Sequence, residues 1–161
     1  MVKNKDLFIA IDGNAIVHRA FHAYPPTLGT SDGLQVNAVY GFTVMLLQVL
    51  KQFEPKYVVC AFDTSKPTFR HTKFPEYKAQ RKPTDQSLID QFPLVEQILT
   101  SMNIPILKKE GYEADDILGT ISKWMEEGKW ESYDYDTYLV TGDRDFLQLI
   151  GGKTKVCIPQ G

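Results

Sequence analysis

Three short apolar runs in this chain each lead into an aspartate. Residues 7–11 run into Asp12, residues 57–62 into Asp63, and residues 138–142 into Asp143, with Asp145 two positions on. A fourth stretch sets Glu113, Asp115 and Asp116 within four residues, opening an expected helix. Carboxylates gathered in one crevice repel one another unless cations neutralise them. An all-oxygen donor set suits hard Mg²⁺ or Mn²⁺ rather than zinc. Taken singly, each strand-end aspartate is more often a helix cap or a turn residue than a ligand. Jointly that bland reading weakens, because four separate segments would have to place acids at the same end of one sheet by accident. Glu113 and Asp116 lie three apart, on one helical face. A helix N-terminus attracts one or two acids, but three in four residues repel one another more than its dipole needs.

A second constellation lies between Lys66 and Lys82. It holds six basic residues (Lys66, Arg70, Lys73, Lys78, Arg81, Lys82), the single acid Glu76, and the aromatics Phe69, Phe74 and Tyr77. Prolines punctuate it and no helical apolar stripe runs through it, so an irregular segment is expected. Loops of that length in a compact domain are usually functional or disordered. Basic residues interleaved with aromatics suit a single nucleic-acid strand, with phosphates paired and bases stacked. The plainer alternative is a solvated connector. His18, His22 and His71 have no partner at metal-ligand spacing and read as packing or surface residues.

The elements that must position these residues alternate. Strands are expected at 7–12, 57–62, 104–107, 137–141 and 154–158. Helices are expected at 14–23, 37–53 with Asn37 as N-cap, 85–102, 113–127 and 144–150. Pro93 should kink or split the helix it lies in. Short continuous apolar runs are buried on both faces, as in parallel sheets. The fold class is therefore α/β: a mostly parallel central sheet with helices on both faces, its site outside the carboxyl ends of the strands.

At 161 residues the chain fits one domain. Its net charge of −2 conceals a division: with the seven carboxylates set aside, 13 acids remain against 18 lysines and arginines, a residual of +5. Such a split suits a protein that holds cations in a pit while meeting a polyanion. Cys60 and Cys157 both sit in apolar runs, which favours reduced thiols and a cytoplasmic location. No run reaches the roughly 20 apolar residues of a membrane span. The chain stops directly after a strand, as expected of the front part of a longer protein.

The strings Ile11-Asp12-Gly13, Ala38-Val39-Tyr40-Gly41-Phe42, Phe62-Asp63, Phe69-Arg70-His71, Tyr77-Lys78-Ala79-Gln80-Arg81, Gly111 to Asp116 and Thr141-Gly142-Asp143-Arg144-Asp145 occur here in order. Together they resemble the N-terminal part of the 5′ nuclease domain of bacterial DNA polymerase I, within the flap endonuclease family. The resemblance covers the whole chain. It implies a PIN/flap-endonuclease-like core over 1–161 with a basic arch at about 66–86, lacking the helical part that grips duplex DNA. It also implies a two-metal phosphodiesterase that removes 5′ flaps and RNA primers in replication and repair. By resemblance, Asp12, Asp63, Glu113, Asp115 and Asp116 serve one Mg²⁺ or Mn²⁺, and Asp143 and Asp145 serve a second. Lys78 and Arg81 would reach the scissile phosphate, as the catalytic pair. Arg19 and Arg70 match positions that meet DNA phosphates, and Lys66, Lys73, Tyr77 and Lys82 belong to the strand-binding arch. In the family a further Gly-Asp-rich motif follows and adds two aspartates to the second cation; the sequence ends before it. Gln35 stands where a proline commonly precedes the Ala38–Phe42 string. The implied partners are DNA with a 5′ flap or single-stranded 5′ end and RNA-primed DNA, with a monomeric protein, no membrane, and a polymerase domain in the longer chain. Two rivals stand beside this reading. One is a PIN-type ribonuclease, which needs no arch; the other is a branched-DNA-binding module without turnover.

Overall fold

A computed structural model describes residues 6–80, 83–129 and 135–159. Five strands form one parallel sheet in the order β3-β2-β1-β4-β5: β1 Asp6–Asp12, β2 Tyr57–Ala61, β3 Ile106–Leu107, β4 Tyr135–Val140 and β5 Thr154–Cys157. The helices are α1 Gly13–Ala23, α2 Asn37–Phe53, α3 Phe69–Lys73, α4 Gln86–Ile89, α5 Phe92–Ser101 and α6 Ala114–Glu126, with a 3-10 helix at Arg144–Leu149.

Side chains of a strand alternate between faces, and β1 is buried on both. Ile9 and Ile11 enter a core with α1, α2 and α5 that includes Phe42, Leu46, Val95 and Leu99. Phe8 and Ala10 point the other way, onto Leu118, Ile121 and Met125 of α6 and Phe146 of the 3-10 helix. This is why the strands read as unbroken apolar runs. Register then sets the site. Asp12 pairs with Ala61, and Ile11 pairs with Val140. Asp12, Asp63 and Asp143 therefore all fall within two residues of one level, at the carboxyl edge of three adjacent strands.

Several local expectations are corrected. Asn37 does not cap α2: Val36 holds that place without a side-chain bond. The orphan amides of Ala38 and Val39 are instead accepted by Oε1 of buried Gln91, at 2.8 and 3.2 Å. Asn37 is itself buried, donating to the carbonyls of Phe21 and Tyr24. The single helix expected at 85–102 is two, broken at Asp90–Gln91, with Pro93 in the first turn of α5, where a missing amide costs little. The segment from Lys66 is not wholly irregular. Thr68 and His71 form a capping box that starts α3.

Candidate active site

Asp12 is 3% exposed. Its Oδ1 accepts the Ala15 amide at 3.0 Å, capping α1, and its Oδ2 accepts the Thr141 hydroxyl at 2.8 Å. Thr141 also accepts the Asp143 amide at 3.0 Å, so one buried threonine ties the ends of β1 and β4 together. Gly13 is required beside Asp12: a Cβ there would lie 2.5 Å from the Phe62 ring. Just beyond β2, the Asp63 amide donates to Asn14 Oδ1 at 2.8 Å, and Asp63 Oδ1 accepts the Ala114 amide at 2.7 Å at the start of α6. Asp143 Oδ1 accepts the Asp145 amide at 2.8 Å. Neither Thr141 nor Asn14 stood out in the sequence, although Thr141 opens the last of the strings and Asn14 directly follows the first.

Of the seven acids, Asp12 and Asp115 are raised and Glu113 and Asp116 are lowered. Asp115 is pushed up to about 6, first by burial of its carboxyl and then by the charges of Asp12, Asp63, Asp143 and Glu113. Burial, with help from Asp63 and Asp143, also raises Asp12, against the hydrogen bonds from Ala15 and Thr141. Among the described residues, no basic side chain forms an ion pair with Asp12, Asp63, Asp115 or Asp143, so these four leave a cluster of negative charge. Glu113 and Asp116 behave oppositely. Asp116 is lowered chiefly by Arg70, which grips both its oxygens at 2.7 Å. Glu113 is nearly buried, and burial alone would raise it. Lys78, Tyr77 and Arg70 together outweigh that, with Lys78 Nζ on Oε1 and the Tyr77 hydroxyl on Oε2 at 2.9 Å. Lys78 is itself raised, its desolvation offset by Glu113. It also holds a left-handed φ of 58°, a conformation unusual for a non-glycine residue. Its ammonium meanwhile reaches Glu113, 35 residues along the chain.

Asp145 lines a cleft of about 280 Å³ with Arg70, Asp115, Asp116, Gly119 and Phe146. Among the described residues, no three His, Cys, Asp or Glu side chains stand close enough to enclose an ion by themselves. The carboxylates converge on one edge without forming a closed cage.

A family model described as 5′-3′ exonuclease, N-terminal resolvase-like domain, matches residues 7–160. The chain belongs to this 5′-3′ exonuclease family. DNA polymerase I of Bacillus caldotenax is 43% identical over 145 residues, which cover 90% of this chain and 16% of that protein. DNA polymerase I of Mycobacterium tuberculosis H37Rv is 39% identical over 158 residues, covering 97% and 17%. The chain thus spans about a sixth of the length of these relatives. Among solved structures, T5 5′-exonuclease with bound zinc shares the fold at a TM-score of 0.64 and 22% identity, over 94% of this chain and 54% of that one. The catalytic core of Rad2 with DNA matches at 0.51 and 19%, over 94% and 43%.

Within this exonuclease domain the expected residues are distributed as follows. Tyr77, Lys78 and Arg70 come together with Glu113 and Asp116. Lys66 pairs with Glu110 at 2.7 Å on the surface, and Lys73 lies 5.9 Å from the Phe69 ring. Arg19 is half-buried on α1, and no described hydrogen bond or ion pair joins it to the carboxylates. Arg81 and Lys82 lie outside the described residues.

Proposed function

We propose that this domain is the catalytic part of a metal-dependent 5′-3′ exonuclease and flap endonuclease, cutting phosphodiester bonds in DNA and RNA primers as the front of a polymerase. The observation that carries the reading is the cluster of Asp12, Asp63, Asp115 and Asp143, which has no ion pair to a basic side chain among the described residues, beside Arg70 and Lys78. The donor set fits hard divalent cations. Mg²⁺ keeps several waters and is usually held by one or two carboxylates plus substrate phosphate, so an open edge of acids suits it better than a closed cage. Asp12, Asp63 and Asp115 would hold one ion and Asp143 and Asp145 another, with Glu113 and Asp116 joining once their basic partners turn to substrate. Bound cations would supply a hydroxide nucleophile near neutral pH and offset charge on the attacking and leaving oxygens.

The chain's own residues do the rest. Thr141 holds Asp12 and the Asp143 backbone in fixed relation, and Asn14 with the Ala114 amide holds Asp63. The edge is therefore preorganised before substrate arrives. Lys78 and Arg70 place cationic groups beside the acids, where they can meet the charge that develops on a phosphoryl group. Lys66, Lys73 and Arg19 supply phosphate contacts that position the strand. The bound zinc of T5 5′-exonuclease and the DNA held by the Rad2 core support this reading. The free thiols of Cys60 and Cys157 support a reducing cytoplasm.

The absence of a ready-made ion cage among the described residues favours one second reading, a branched-DNA binder without turnover. Incubating a 5′-flap substrate with the chain in Mg²⁺ or Mn²⁺ decides between them. Cleavage that Asp115→Ala abolishes while binding is kept supports the nuclease. Metal-dependent flap binding with no product from the unaltered chain supports the binder.

A further inference from the structure

A second cleft, of about 460 Å³, lies on the outer side of α6 beside the edge strand β3, and the catalytic acids do not account for it. Leu107, Ile117 and Ile121 form its floor, Tyr112 and Trp124 stand at its ends, and Lys109 and Asp116 line its rim. Its volume is in the range of small-ligand sites, about 300–1,000 Å³. Tyr112 is 45% exposed and Trp124 42%, two large rings left open to water beside an apolar floor.

We propose that this groove binds unpaired nucleotides of a single strand, with Tyr112 and Trp124 as stacking platforms. This rests on the nuclease reading and names a subsite for its substrate. Three observations select that occupant. The groove adjoins the catalytic cleft, since Asp116 lines both. From Asp116 to Trp124 the helix advances eight residues, about 12 Å. That is room for about two to three nucleotides, taking the 3.4 Å per-strand rise of stacked DNA as the lower bound.

The aromatic surface also continues into the basic segment. The Phe69 ring lies 5.7 Å from that of Tyr112, Arg70 sits 4.6 Å over Phe69, and the Phe69 amide donates to the Gly111 carbonyl at 3.1 Å. The charges complement a polyanion as well. The acids nearby, Asp116 and Glu110, are already paired with Arg70 and Lys66, leaving Lys109 and Lys73 exposed on the rim and approach. Bases stacked on open rings with phosphates on flanking lysines are the general mode of sequence-tolerant single-strand binding. An apolar protein segment laid along α6 is the rival occupant.

The test uses the intact chain carrying Trp130→Phe, which leaves Trp124 as its sole tryptophan. It is titrated at low ionic strength in EDTA with oligothymidylate and with an abasic strand of equal length. The expected result is quenching of Trp124 by oligothymidylate but not by the abasic strand. Read by anisotropy of an end-labelled strand, Tyr112→Ala and Trp124→Ala should each weaken oligothymidylate binding roughly 5- to 150-fold, the equivalent of about 1–3 kcal/mol per stacked base. Their salt dependence should stay unchanged, whereas Lys109→Ala should flatten it by about 0.7 of a unit of slope. Tyr112→Phe and Trp124→Phe should restore affinity. Absence of quenching at saturating oligothymidylate overturns the groove and leaves it to the protein segment, and so does wild-type affinity in both alanine variants. The nuclease reading survives that result if flap cleavage persists. Quenching without cleavage in any cation would instead retain the groove and remove the nuclease.

Discussion

Replacing Asp115 with asparagine should stabilise the metal-free protein near neutral pH, against the usual direction for a mutation in a functional site. The Asp115 carboxyl rises from 3.8 to about 6 on folding, by burial and by the charges of Asp12, Asp63, Asp143 and Glu113. A raised carboxyl binds its proton more tightly folded than unfolded. Stability is thus unaffected by this group below about pH 4, falls as pH rises between the two values, and stays reduced above about 6. The full shift corresponds to about 3 kcal/mol at 1.36 kcal/mol per unit. Asp115 nevertheless has a solvent-exposed surface, and screening there reduces the expected penalty to about 1 kcal/mol.

The assay is urea unfolding of wild type and Asp115→Asn in EDTA at pH 4 and pH 7.5. The difference of differences removes whatever the amide changes in packing at both pH values. The variant should gain about 1 kcal/mol on going to pH 7.5, or about 2–4 °C in melting temperature for a chain of this size. Millimolar Mg²⁺ should reverse the order. A cation that binds only the folded form adds about 2.7 kcal/mol at 100-fold excess over Kd, and the variant has lost a ligand. A pH-independent difference between the two proteins in EDTA would refute the crowding of these carboxylates. Equal stabilisation of both by Mg²⁺ would refute their role as its ligands.

Lys78→Met should raise divalent-cation affinity measured by calorimetry, because Glu113 then loses the ammonium that now occupies it, while slowing flap cleavage; unchanged affinity would mean that Glu113 is no ligand. Asp12→Ala should lower stability by about 1–3 kcal/mol, since it removes the α1 cap and leaves the buried Thr141 hydroxyl without its acceptor. Asp12→Asn should retain most of that stability while losing activity, and equal stability of the two variants in urea would show that the cap contributes nothing.

The strand ends, the span 37–53 of α2 and the acidic opening of α6 were legible in the sequence. Apolar runs, 3.6-residue periodicity and first-turn acids are local signals, carried by neighbours along the chain. The parallel sheet followed from their alternation, and it placed Asp12, Asp63 and Asp143 on one edge as expected. The tertiary structure alone decided which acids carry free charge. Arg70 reaches Asp116 across 46 residues and Lys78 reaches Glu113 across 35, so among the described residues Glu113 and Asp116 are the acids of the seven that meet a basic side chain. Gln91 caps α2 from more than 50 residues away, displacing the adjacent Asn37. Charge attraction and amide satisfaction depend on distance in space, and a sequence orders residues only along the chain. Composition therefore announced an acidic site beside a basic segment, while folding determined how the two share their charges.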